Sequence, residues 1–242
     1  MTDPARIALI TGASRGLGLV IARVLARRGY GLVIGGRDRE ALAAAAGELS
    51  RHAPSVLSVA GDITETAVRA ALIDAAGQLG GLNVLVNNAS ELGGIGPLST
   101  FDVPRFGRLF PVNVGAPMVL VQLALPLLSA RRGLIVNITS DAATAAYPGW
   151  GAYGATKAAL ELLTRTLATE LGELGVSAML VDPGDMRTRM HQEAFPGEDI
   201  SDRPLPEVTV PFWDWLFDQD PDAIRGERFS ARQEDSRWLQ RT

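Results

Sequence analysis

The sequence predicts an α/β fold in three layers, a doubly wound parallel sheet contained in a single domain spanning residues 1–242. Three observations predict it. Short, largely apolar runs recur along the chain, longer Ala- and Leu-rich segments of helical spacing separate them, and a glycine-rich turn follows the first run directly. A run of three to five apolar residues with no wet face reads as a strand covered on both sides. Regular alternation with helices makes such strands parallel, because each helix carries the chain back across the sheet. The length of 242 residues suits one domain of this kind. With 47% apolar and 21% charged residues the chain can bury a large core, which excludes disorder.

In chain order the strand-like runs are residues 7–10, 32–34, 56–59, 84–86, 134–138 and 178–181, with 228–230 as a short last strand. Helical spacing covers 20–28, 39–49, 66–79 and 155–174. Residues 109–130 hold no charge over 22 positions, enough at ~1.5 Å each to cross a bilayer. Asn113, Pro117, Gln122 and Pro126 interrupt that stretch, and no aromatic belt flanks it. A helix buried in protein, at a subunit contact, is the expectation. Past residue 181 the texture changes to Pro, Gly and charge, and then four aromatics, Phe212, Trp213, Trp215 and Phe217, crowd into a short stretch. Residues 185–217 are therefore expected to form a substrate loop and a short helix. The aromatics read either as a lid over an apolar substrate or as core or subunit contact.

Composition narrows the function. Twenty-three basic against 27 acidic residues give a net charge of −4, with no basic run to meet nucleic acid or an anionic membrane. No cysteine is present, so disulfides, thiolate nucleophiles and zinc–thiolate sites are excluded. His52 and His191 are the only imidazoles, too few for a metal centre to be expected, and His191 reads as a solvated loop residue. Asp3 and the early Thr11-Gly12 break do not fit a secretory signal, so a cytoplasmic location is expected.

The first run ends in Thr11-Gly12-Ala13-Ser14-Arg15-Gly16-Leu17-Gly18, followed by an apolar helix. Glycines at such a point let the backbone turn tightly and approach a pyrophosphate, which the free N–H groups of the following helix attract. The spacing departs from G-x-G-x-x-G, so a plain tight turn is the competing reading. At the end of the second run, Gly35-Gly36-Arg37-Asp38 leaves room and supplies a guanidinium fork where a dinucleotide site meets a ribose or its 2′-phosphate. Arg37 with Arg15 makes a cationic pocket for a phosphate monoester, which predicts NADP(H) over NAD(H). The bland alternative is a solvated loop arginine.

Ser140 closes the run at 134–138, Tyr153 follows thirteen residues later, and Lys157 four after that. Positions i and i+4 share a helix face, so a phenol and an ammonium stand side by side. A nearby positive charge favours the phenolate, which predicts that Lys157 lowers the Tyr153 pKa toward the useful range. Ser140 then hydrogen-bonds the oxygen whose charge changes. Tyr147 has no lysine four residues on.

With the glycine turn, Asn87-Asn88-Ala89, Ser140 and Tyr153-x-x-x-Lys157 in this order, the chain resembles the short-chain dehydrogenase/reductase family over nearly its whole length. The resemblance implies a Rossmann-type fold, hydride exchange between NADP(H) and a ketone or aldehyde or the corresponding alcohol, and a homotetramer or homodimer. It implies Ser140, Tyr153, Lys157 and Asn113 as the catalytic group, with Tyr153 as general acid/base, Lys157 also holding the nicotinamide ribose and Asn113 completing a proton relay. Cofactor contacts are implied for Gly12, Ser14, Arg15, Gly16, Leu17, Gly18, Arg37, Asp62, Ile63, Asn88, Ala89, Tyr153, Lys157, Pro183, Gly184 and Thr188. Local readings compete: Asp62 with capping-box spacing to Glu65, Asn113 as a satisfier of backbone groups at a helix bend, Pro183-Gly184 as a simple turn. A catalytically silent NADP(H) sensor or scaffold of the same fold is the alternative function. Fatty-acyl, polyketide, steroid and small-ketone substrates are all compatible. Two departures from the family pattern are Ser90, where glycine is usual, and Asp141, where a small neutral residue is usual.

Overall fold

The structure is a computed structural model that describes residues 5–232 and Trp238. Seven parallel strands form one sheet in the order β3-β2-β1-β4-β5-β6-β7. They are β1 (Ile7–Thr11), β2 (Gly31–Gly36), β3 (Val56–Ala60), β4 (Val84–Asn87), β5 (Leu134–Ile138), β6 (Ser177–Asp182) and β7 (Arg228–Ser230). The order reverses between β1, whose next strand lies to one side, and β4, which pairs on the other. A crevice opens above the strand carboxyl ends at such a reversal, and ligands of doubly wound sheets bind there.

Helices α1 (Gly16–Arg27), α2 (Arg39–Leu49), α3 (Thr66–Gln78), α4 (Val103–Phe110), α5 (Ala116–Ser129) and α6 (Gly151–Glu170) connect the strands, and α7 (Arg189–Ala194) and α8 (Val210–Leu216) lie between β6 and β7. One face of the sheet packs on α1, α2 and α8, the other on α3, α5 and α6. The inner strands β1, β4 and β5 are buried at every position, whereas β3 is half-exposed because it is an edge strand. Expecting it to be covered on both sides was an error of position, which its sequence alone did not carry.

The uncharged stretch is part of one continuous helix, Val103–Ser129, long and apolar enough by length and composition to cross a membrane, with 44% of its apolar window buried within the protein. A π-turn at Pro111–Gly115 joins α4 to α5, and Leu120, Val121, Ala124 and Leu128 enter the core. The four late aromatics belong to the core: Phe212, Trp213, Trp215 and Phe217 pack with Phe229 and Trp238 against α1. They do not line the cleft, so α8 is no lid. The cleft instead meets residues 182–195 and 205–207.

Candidate active site

The cleft of about 1210 Å³ runs over the carboxyl ends of the strands. Its floor at one end is the glycine turn. Thr11 Oγ1 accepts the backbone N–H groups of Asn88 and Ala89, each at 3.0 Å, and Asn88 Nδ2 donates to the carbonyls of Thr11 and Gly12 at 2.9 and 3.2 Å. The end of β4 thus clamps the turn. A Cβ on Gly12, at φ +67°, would meet Asn88 Nδ2 at 2.9 Å, and one on Gly18 would lie 2.4 Å from the Gly12 carbonyl oxygen. Close approach requires glycine at both positions, and at Gly12 the left-handed backbone conformation requires it as well. Arg15, at the N-cap of α1, gives that helix no side-chain cap, so its first-turn N–H groups are left for a ligand. Ser14, Gly16, Leu17, Asp62, Ile63 and Thr188 line the same region.

Arg15 and Arg37 both reach the cleft, but not as one free fork. Arg15 pairs with Asp38, and Arg37 pairs with Glu91, which also takes Arg108 at 3.4 Å. Opposite charges lay close by, and a sequence window shows only those next in the chain. The two arginine side chains are 42% and 59% exposed. Ion pairs this wet contribute about 0–1 kcal/mol, so a phosphate can compete for them. Asp62 does not form the capping box. It accepts the backbone N–H and hydroxyl of Thr64 at 2.9 and 2.8 Å, and α3 starts after Glu65 with no side-chain cap. These hydrogen bonds hold the Asp62 carboxyl below the ordinary carboxylate range.

At the other end Ser140, Tyr153 and Lys157 meet. Ser140 follows β5 and opens a short 3-10 turn, Asp141–Ala143, its Oγ accepting the Ala142 N–H at 3.2 Å. Helix α6 lies directly on that turn because Gly154 has no Cβ; one there would sit 2.5 Å from the Ala142 carbonyl oxygen. That glycine, between Tyr153 and the helical run from Ala155, was the missed signal for close packing. α6 begins at Gly151, four residues before the sequence pattern predicts, and so includes Tyr153 in its first turn.

Lys157 is buried, donates from Nζ to the Ile138 carbonyl at 2.9 Å, and lies 5.5 Å from the centre of the Tyr153 ring. Burial pushes its ammonium down to about 8. The Tyr153 hydroxyl is pushed up rather than down. Burial is the main cause, the carboxylates of Asp182 and Asp141 add to it, and the hydroxyls of Ser90 and Ser140 oppose it. The expected lowering by Lys157 fails because its ammonium is aimed at a backbone carbonyl and the phenol is desolvated.

Asn113 sits buried in the π-turn with every polar group engaged. Its Oδ1 accepts from Ser90 Oγ at 3.0 Å and the Glu91 N–H at 2.8 Å, and its Nδ2 donates to the Glu91 carbonyl at 2.9 Å and Thr156 Oγ1 at 3.0 Å. It satisfies backbone groups, as the bland reading held, and connects to the Tyr153 hydroxyl through Ser90. Pro183 and Gly184 form the turn after β6, with Gly184 at φ +72°, and Thr188 caps α7 by accepting the His191 N–H at 3.2 Å. His191 is not solvated: its side chain is 10% exposed, packs on Phe195 and lies 4.0 Å from Asp185.

An ion-pair network behind Ser140, two buried carboxylates on a half-buried arginine, went unread in the sequence. Arg228 donates to Glu161 at 2.8 Å, to the Ser140 carbonyl at 3.1 Å and to Asp182 at 3.3 Å, while Thr139 donates to Glu161 at 2.9 Å. The last strand thereby ties the ends of β5 and β6 together. Its members are 89 residues apart, and no local spacing connects them.

A family model for short chain dehydrogenases matches residues 6–199. Gluconate 5-dehydrogenase of Gluconobacter oxydans is 34% identical over 200 residues, covering 81% of this chain and 77% of that protein. An alcohol dehydrogenase from the archaeon Thermococcus sibiricus, solved with 5-hydroxy-NADP, superposes with a TM-score of 0.83 at 29% identity, covering 93% of this chain and 95% of that one. The 3-ketoacyl-(acyl-carrier-protein) reductase of Brucella melitensis, solved with NADH, does so with a TM-score of 0.83 at 26% identity, covering 93% and 96%. A glycine turn under a strand reversal, a Ser–Tyr–Lys group at its far end and this likeness over most of the length together make the chain a member of the short-chain dehydrogenase family, an oxidoreductase with a Rossmann fold.

Proposed function

We propose that this oxidoreductase is an NADP(H)-dependent carbonyl reductase in which Tyr153 is the general acid. The observation that carries the reading is the convergence of Ser140, Tyr153 and Lys157 at one end of a cleft whose other end is the glycine turn with Arg15 and Arg37. The glycine turn and the uncapped end of α1 suit a pyrophosphate, Arg15 and Arg37 suit a 2′-phosphate, and Tyr153, Lys157, Pro183, Gly184 and Thr188 would hold the nicotinamide ribose and ring. When bound, NADP(H) supplies or accepts the hydride.

The chain's own part is proton handling and orientation. Burial keeps the Tyr153 hydroxyl protonated at neutral pH, so it donates to a carbonyl oxygen as that oxygen gains charge. The Lys157 ammonium holds positive charge beneath that point, and Ser140 stands within hydrogen-bond reach of the Tyr153 oxygen. Leu92, Trp150, Met190 and Phe195 give the substrate end an apolar wall. Among similar structures both NADP-type and NADH complexes occur; the two arginines carry the choice toward NADP(H).

The test is a panel of ketones and aldehydes with NADPH and with NADH, followed by loss of nicotinamide absorbance, for the wild type and Tyr153→Phe. Turnover with NADPH that drops by about 10²–10⁴ in the Phe variant, with NADPH still bound, is expected. Activity retained without the hydroxyl overturns the role of Tyr153, and cofactor binding without turnover across the panel points to the silent alternative.

A further inference from the structure

Asp141 stands beside Ser140, and its two oxygens are both taken by hydroxyls. Ser140 Oγ donates to Oδ1 at 3.0 Å, and the Tyr147 hydroxyl donates to Oδ2 at 2.8 Å. A serine hydroxyl has one proton and two lone pairs. Here the proton goes to Asp141 and one lone pair takes the Ala142 N–H, so Ser140 keeps a lone pair but no proton to offer the site. Ser140 therefore enters the site as an acceptor. To donate to a substrate carbonyl it would have to leave a carboxylate for a neutral oxygen, the weaker partner of the two.

We propose that Asp141 is a positioning residue: by holding the Ser140 proton it keeps Ser140 from donating to a Tyr153 phenolate, and it adds a negative charge beside the site that no ion pair offsets, so that the enzyme favours carbonyl reduction over alcohol oxidation at neutral pH. The proposal rests on the reading of Tyr153 as the proton donor.

The surrounding charges support it. Lys157 and Glu161 face the site from α6, Asp182 from the end of β6, Arg228 from β7, and Asp185, His191 and Arg232 from the segments that follow β6 and β7. Glu161 and Asp182 share Arg228, and Asp185 lies near His191. Among the described residues no cation lies within ion-pair distance of Asp141, so its charge acts on the phenol without a paired guanidinium. The Asp141 carboxylate is among the groups that push the Tyr153 hydroxyl up, and alcohol oxidation requires that hydroxyl to lose its proton first.

The experiment measures alcohol oxidation with NADP between pH 6 and 10 for the wild type, Asp141→Asn, Asp141→Ser and Asp141→Glu, using the alcohol of the best ketone in the panel. In the Asn and Ser variants the limb that rises with pH moves down by about half a unit or more, giving roughly threefold faster oxidation at a fixed pH on that limb. The Glu variant keeps the wild-type limb. Limbs that coincide in wild type, Asn and Ser variants overturn the proposal, and the two neutral variants guard against one of them failing to fold. A substrate-free measurement separates this proposal from the reading beneath it. Alkaline titration of tyrosinate absorbance, referenced to Tyr153→Phe, is expected to find Tyr153 ionising at lower pH in the Asn variant. Coincident titrations sink the proposal even if the enzyme turns over, and a wild type that reduces no carbonyl sinks the functional reading whatever the titration gives.

Discussion

Burying the Lys157 ammonium costs folding free energy and tunes the site at once. Its pKa falls from 10.5 to about 8 through desolvation, while Tyr153 moves the other way. Reduction uses the protonated form of both groups, so kcat/KM is expected to be level on the acid side and to fall about tenfold per pH unit above pH ~8. Stability has the opposite sign. The unfolded chain binds more protons than the folded one between about 8 and 10.5, so the Lys157 contribution to stability rises with pH over that window. A pH–rate profile beside melting temperatures at the same pH values checks both, and activity flat to pH 10 would contradict the assignment. Arg37 carries a second expectation at this scale. Its guanidinium is 59% exposed and its partner Glu91 also pairs with Arg108, so Arg37→Asp removes an available phosphate partner at little cost in stability. NADPH affinity is expected to drop at least tenfold while NADH affinity holds, as measured by fluorescence titration. Ser140, Tyr153, Lys157 and the glycines were legible in the sequence because their spacing is local. The direction of the Tyr153 shift was not, since burial against Leu92, Ala142, Met190, Ala194 and Phe195, most of them far away in sequence, has no local signature.

Elements place these groups by close approach. The end of β4 grips the turn after β1 through Thr11 and Asn88, and α1 starts hard against it, with the Gly12 carbonyl oxygen 2.4 Å from where a Gly18 Cβ would be. Gly18→Ala therefore forces backbone apart, since the obstructing atom belongs to the chain itself. An overpacked contact of this kind costs about 1–3 kcal/mol, or several degrees in Tm for a domain of this size, and the widened turn should lose NADPH affinity by at least tenfold. Calorimetry with and without NADPH reads both; unchanged melting and affinity would mean the turn can relax. The element order was legible because each inner strand is apolar on both faces. What escaped was decided by partners outside each element: the edge position of β3, the first turn of α6, whose Gly154 rests on the Ala142 carbonyl, and the core packing of α8 against Phe229.

At the scale of the molecule, the two helices α5 and α6 leave apolar side chains in water on the face of the sheet that they cover. Leu123 on α5 is 41% exposed and Leu162 on α6 64%, while their neighbours Leu120, Val121, Ala124 and Leu160 are buried. Single exposed leucines are ordinary on a monomer, but these lie on the uncharged α5 and the long α6, the two segments from which a contact between copies was expected. A contact there would bury the leucines and would also steady the far end of α6, which carries Tyr153 and Lys157. A particle of two or four chains of 25.6 kDa is the expected result of light scattering. Leu162→Glu places a charge in such a contact and touches nothing in the cleft, so it should shift the mass toward one chain with the circular dichroism spectrum unchanged, and lower kcat more than KM if α6 loosens. A wild type that scatters as a single chain at micromolar concentration would remove the contact, and with it any part for a second copy in holding α6.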